Sequence, residues 1–76
     1  MEFSENDVLL VTGATGLVGS HVVERAKSEG MRVRALVRET TDTSFLDRLG
    51  VEKSIGDMSD PESLKRAMSD VKAIVH

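Results

Sequence analysis

The sequence contains no cysteine, no tryptophan and no tyrosine, and only two phenylalanines. Without cysteine there is neither a disulfide framework nor thiolate chemistry, and a cytoplasmic location is the expectation. Two histidines without cysteine leave no ligand set for structural zinc, so no metal site is expected. A basic stripe is missing too. The formal net charge is −3 with both signs interspersed, which excludes nucleic acid as an expected partner. No window reaches the ~18 consecutive apolar residues of a membrane span. The opening MEFSEND is acidic and polar, unlike a signal peptide or membrane anchor, and no membrane partner is expected. At 76 residues the chain is one small domain at most.

What is present is an alternation of apolar patterns. Residues 7–13, DVLLVTG, form a near-continuous apolar run ending in a turn signal, as in a strand buried on both faces. Over residues 17–29, Val18, Val22 and Ala26, supported by Val23, make an inward helical stripe, with Gly30 placed to end it. Residues 31–38 read as a second strand with Val33, Ala35 and Val37 on one face and Arg32 and Arg34 on the other. A short helix with Phe45, Leu46 and Leu49 follows, then a third strand over 51–57 whose Lys53 suits an edge. Ser59 or Asp60 caps a third helix with Pro61 at its first position and Leu64, Ala67 and Met68 facing inward. Residues 71–76 form a fourth strand.

The order β-α-β-α-β-α-β predicts parallel strands joined by right-handed crossovers. The expected spatial order is 3-2-1-4, a partial Rossmann-like doubly wound α/β sheet. The fourth strand then lies at an edge, yet AIV there is apolar, with Lys72 its one protective charge and no bulge. Residues 1–76 are therefore expected to be the N-terminal part of a longer protein.

Between the first strand and helix, Gly13, Gly16 and Gly19 recur three residues apart. Gly13 lets the chain leave the strand tightly, Gly16 clears a path to the backbone amides, and Gly19 lets the helix lie close to the sheet. The helix N-terminus would then meet a phosphate, with Thr12, Thr15 and Ser20 supplying hydroxyls nearby. On spacing alone, a phosphate cradle and a ligand-free turn are both open. A P-loop is excluded, since no GxxxxGK[ST] can be read.

The stretch TGATGLVGSHVVERAKSEGMRVRALVR resembles the start of the short-chain dehydrogenase/reductase superfamily in its extended and atypical branches, whose turn reads TGxxGxxG. GDMSD, residues 56–60, resembles the family motif whose aspartate binds the adenine amino group. DVKAIVH, residues 70–76, resembles the family's fourth strand. The resemblance implies a nicotinamide dinucleotide as cofactor. The implied contacts are Gly13, Thr15, Gly16, Leu17, Val18 and Gly19 at the pyrophosphate, and Asp57 with Met58 at the adenine. At the end of strand 2, Val37 stands where NAD-type members carry aspartate, and Arg38 follows. An arginine there suits the 2′-phosphate of NADP, whereas Glu39 could pair with it or accept from the 2′-hydroxyl of NAD. NADP is the expected cofactor and NAD the alternative.

The family's chemistry uses a YxxxK pair, and this chain has no tyrosine, so no catalytic residue is assigned. His21 and His76 are expected to be surface or packing residues. The functional expectation is an NAD(P)-binding segment of an epimerase, dehydratase or reductase, not catalytic by itself, with an oligomer of the full-length protein left open. One alternative is a dinucleotide-binding redox sensor resembling nitrogen-metabolite-repression regulators that lack the tyrosine. Another is a ligand-free interaction module.

Overall fold

The computed structural model describes residues 6–76; the first five residues of the acidic opening lie outside that range. Seven elements alternate: β1 (Val8–Thr12), α1 (Leu17–Ser28), β2 (Arg32–Val37), α2 (Ser44–Arg48), β3 (Glu52–Ile55), α3 (Pro61–Ala67) and β4 (Val71–Val75). The four strands are parallel in the order β3-β2-β1-β4, the sheet expected from the alternation.

β1 lies inside because Val8, Leu9, Leu10 and Val11 are all buried, so neither face can meet water. Its alternate side chains enter two cores. Leu9 and Val11 join Val33, Ala35 and Val37 of β2 beneath Val23 and Ala26 of α1 and Leu46 of α2. Leu10 and Leu36 meet Ala67 of α3 on the opposite face. Helices α1 and α2 both end on a glycine with positive φ, Gly30 and Gly50, the left-handed residue that stops a helix without Cβ strain. In α1 the bonds Gly30 N–H to Lys27 O and Met31 N–H to Ala26 O complete the stop.

Three expectations need correction. Val18 is 75% exposed, so the inward stripe of α1 runs through Val23 and Ala26 with Val22 at its margin. Starting the helix at Leu17 puts Val18 in the first turn, beyond the sheet. Met68 is also exposed, because α3 ends at Ala67 and Met68 is its cap; the buried positions on that helix are Ser63 and Ala67. At the edge, the β1–β4 register shifts by one residue at Lys72, and the Lys72 ammonium reaches Asp7 at 3.3 Å. β4 therefore does carry an irregularity of the kind that discourages edge pairing, although Ile74 remains half exposed.

Arg32 and Arg34 project to the α3 side, as the alternation predicts, and converge on Glu52 of β3. Arg34 Nη1 also donates to Ala67 O and Ser69 O at 2.7 and 2.6 Å, closing the C-terminus of α3 with a cation. Bonds from Arg32 hold the Glu52 carboxyl below its ordinary range; Lys53 does the same for Asp47 and Ser44 for Asp42. Each lowered carboxylate stabilises the fold at neutral pH, and that contribution is lost as pH falls through its folded value. The melting temperature is therefore expected to be nearly flat from about pH 7 to about pH 5 and to drop toward about pH 3. A thermal-melt series across that range checks it.

Candidate functional site

β1 ends at Thr12, and Gly13 turns the chain at φ +65°, a conformation that side chains rarely adopt. Gly16 N–H then donates to Gly13 O at 3.0 Å, closing the turn, and Gly16 O accepts the N–H of Ser20 at 2.9 Å as α1 begins. Both later glycines face the same carbonyl. A Cβ on Gly16 would sit 3.3 Å from Gly13 O, and one on Gly19 would collide with that oxygen. The helix approaches the turn so closely only because position 19 has no side chain.

Gly16 is the N-cap of α1, and no side chain caps the first turn; acidic residues are absent from it as well. A helix start of this kind leaves the first amides, at Leu17, Val18 and Gly19, without a carbonyl one turn back. The positive end of a 12-residue helix is thus open to an anion. Leu17 is 79% exposed, so the first turn lies in solvent beside the crevice.

The crevice itself is a cleft of about 390 Å³ where β1 and β2 end, walled also by the residues that follow β3 and β4. Gly13, Thr15, Arg38, Asp57 and Met58 line it, five of the residues expected from the sequence. Gly16, Leu17, Val18 and Gly19 lie outside its wall, in the turn and the first turn of α1. Thr12, Ala14, Leu36, Val37, Thr41, Gly56 and His76 complete the lining. Leu36 and Val37 were readable as strand-end residues, since ligands of such sheets bind outside the carboxyl ends of the strands. Nothing in the sequence marks Thr41. It reaches the cleft because its N–H bonds to Arg38 O at 3.0 Å, folding the segment after β2 back on itself.

Arg38 and Asp57, expected at the 2′-phosphate and at the adenine amino group, meet across the cleft: Arg38 Nε lies 3.4 Å from Asp57 Oδ2. Asp57, not Glu39, is the arginine's carboxylate partner here. Asp57 Oδ1 accepts the N–H and the hydroxyl of Ser59, both at 2.9 Å. Those two bonds, and secondarily Arg38, hold its carboxyl below the ordinary range, so at neutral pH it is an acceptor only. The Arg38 side chain is 74% exposed, and a contact this long in solvent contributes little to stability. A ligand anion can displace it.

Of the hydroxyls expected near the turn, Ser20 Oγ donates back to Leu17 O. Thr12 Oγ1 lies 2.6 Å from His76 Nδ1, which ties the ends of β1 and β4 together. Thr15 lines the cleft. His76 is exposed at the rim; His21 is exposed on α1, as expected for a surface residue.

A second groove of about 460 Å³ runs along α1, walled by Leu9, Val18, Val22, Ala26 and Met31 with His21, Arg25 and Glu29. It is the larger and the more apolar of the two. The first cleft is the better candidate, because turn, helix start, arginine and carboxylate converge there. Among the described residues no cluster of three His, Asp or Glu could hold a metal ion, and no helix is long and apolar enough to cross a membrane.

A family model described as "NmrA-like family" matches residues 5–76. Sterol demethylase protein B of Methylococcus capsulatus is 40% identical over 67 residues, 88% of this chain and 20% of its own length. A short-chain dehydrogenase/reductase superfamily protein from Agrobacterium tumefaciens, solved with bound NAD, superposes with a TM-score of 0.73 at 30% identity, over 91% of this chain and 19% of its own. AtPrR2, solved with NADP+ and (+)pinoresinol, superposes with a TM-score of 0.77 at 30% identity, over 95% of this chain and 26% of its own. The chain spans about a fifth of the length of curated relatives such as sterol demethylase protein B.

Proposed function

The chain belongs to the NmrA-like family, within the short-chain dehydrogenase/reductase superfamily, and from that premise we propose that its cleft binds a nicotinamide dinucleotide, NADP in preference to NAD. The uncapped glycine start of α1 beside the Gly13 turn carries this reading. A Cβ at Gly13 would project into open space at the cleft wall, where a ligand can instead approach the backbone. A volume of about 390 Å³ is also within the range of small-molecule sites.

In this reading the amides of Leu17, Val18 and Gly19 and the Thr15 hydroxyl receive the pyrophosphate. Arg38 releases Asp57 and takes the 2′-phosphate, a charge-assisted contact for which its planar fork is suited. The Asp57 carboxylate and the Met58 backbone meet the adenine amino group. A bound dinucleotide supplies or accepts a hydride, and the residues of this chain bind and orient it without catalysing the transfer. NAD and NADP+ in the two solved relatives support the ligand class.

We further propose that residues 1–76 are the N-terminal part of a longer epimerase, dehydratase or reductase. The half-exposed apolar edge of β4 and the length of the relatives support this. The family match also favours a second reading, a dinucleotide sensor; a YxxxK pair in the remaining sequence would decide for the enzyme. Calorimetric titration tests the binding claim. NADPH should bind about tenfold more tightly than NADH, the worth of one good hydrogen bond to a charged group. Equal affinities would refute the NADP preference, and no heat with either would refute the reading itself.

A further inference from the structure

We infer that Ser63, on α3, is a positioning residue that sets the Asp57 carboxylate for adenine, an inference that rests on the dinucleotide reading above. Among the described residues, Ser63 is the one polar residue that is buried, 1% exposed. Its Oγ accepts the N–H of Asp57 at 3.0 Å. The hydroxyl hydrogen faces two carbonyl oxygens, Asp60 O at 2.9 Å and Asp57 O at 3.1 Å. One hydroxyl therefore accepts the Asp57 N–H and shares its single hydrogen between Asp60 O and Asp57 O.

Capping the helix does not require it. The Asp60 carboxylate already accepts the Glu62 N–H as the N-cap of α3, and Pro61 has no N–H to satisfy. The Ser63 hydroxyl is directed instead to the chain leaving β3. That chain lies directly against it: a Cβ on Gly56 would collide with Ser63 Cβ and Oγ. On its other side the same chain is anchored by Gly56 N–H donating to Val37 O at 2.8 Å. Asp57 is thus held between the end of β2 and the interior of α3 before its side chain meets anything.

The side chain is then divided in two. Oδ1 is committed to Ser59, and Oδ2 is left toward Arg38 and the cleft. The direction in which the oxygen not held by Ser59 faces the cleft follows from the backbone that Ser63 fixes. A polar group buried away from the cleft but bonded to a cleft residue acts by such orientation.

The test compares NADPH with its hypoxanthine analogue, in which a carbonyl oxygen replaces the adenine amino group. A carboxylate acceptor favours the amino donor, so the wild-type chain should prefer adenine by about tenfold or more. Ser63→Ala should reduce that preference about tenfold while changing affinity for the hypoxanthine analogue by no more than about twofold. Simple destabilisation would weaken both ligands alike. In an Asp57→Ala background, Ser63→Ala should remove nothing further, since the two act through one contact. Should Ser63→Ala fold poorly, Ser63→Cys carries the test; its sulfur is a weak acceptor, and the preference should fall about threefold. Full adenine preference retained in a folded Ser63 variant overturns the inference. A wild type without adenine preference overturns the Asp57 assignment, and the inference with it.

Discussion

Replacing Gly19 by alanine should destabilise the chain by about 2–4 kcal/mol. The new Cβ would overlap Gly13 O and stand 2.8 Å from Gly13 C and 3.1 Å from Ala14 Cα. All three are backbone atoms of the turn, so no side-chain rotamer can move aside. The helix must lift off, and Val23 and Ala26 lift with it from their contacts with β1 and β2. A domain of this size commonly holds only about 3–5 kcal/mol, so much of the variant should be unfolded at room temperature. Gly16→Ala is the contrasting case. Its Cβ would sit 3.3 Å from the same oxygen, on a backbone of φ −78° open to any residue. Its stability should fall by about 1 kcal/mol or less, the ordinary cost of alanine at an N-cap. Urea unfolding of the two variants measures both.

Arg38→Ala should leave stability nearly unchanged and weaken NADPH by about 10- to 100-fold, with NADH altered by no more than about threefold. The side chain is largely in solvent and its pair with Asp57 is 3.4 Å long, so little of the fold depends on it. A 2′-phosphate presents several acceptor oxygens and a greater charge than one carboxylate, and only NADPH carries it. Arg38→Lys should recover part of the loss, because an ammonium is a point charge without the guanidinium fork. Affinities from paired titrations of both cofactors check the split. A parallel loss for NADH would mean that Arg38 meets a group shared by the two cofactors.

The sheet was legible because its order depends on patterns that survive without neighbours. A strand such as VLLV, buried on both faces, cannot be an edge, and helices ending at Gly30 and Gly50 announce their own stops. The end of α3 was not announced. There the left-handed residue is Asp70, at φ 63°, and the last carbonyls are closed by Arg34 from a strand far away in sequence. Long-range closure of this sort has no local signature. The errors at Val18 and Met68 have different causes. Helix α1 begins at Leu17 as expected, but its first turn lies beyond the sheet, whereas Met68 falls just past the end of α3.

The candidate site divides the same way. Its glycines were legible as a strand-to-helix turn, whereas the roles expected of Arg38 and Asp57 came from the resemblance to the family. The pairing of Arg38 with Asp57 could not be read, because it depends on how the chain after β3 returns to the end of β2. Ser63 was invisible for a related reason. In SDPESLKR it looks like one more polar residue at a helix start, and only the close passage of Gly56 shows it to be buried.

The most direct test of the account is to follow the backbone amide resonances of this chain during titration with NADPH. Shifts concentrated at Gly13, Thr15 through Gly19, Arg38 and Asp57 are the predicted result, with Leu9, Val22 and Met31 in the α1 groove unmoved. Shifts confined to that groove, or none at millimolar cofactor, would contradict the claim that the glycine turn receives a dinucleotide.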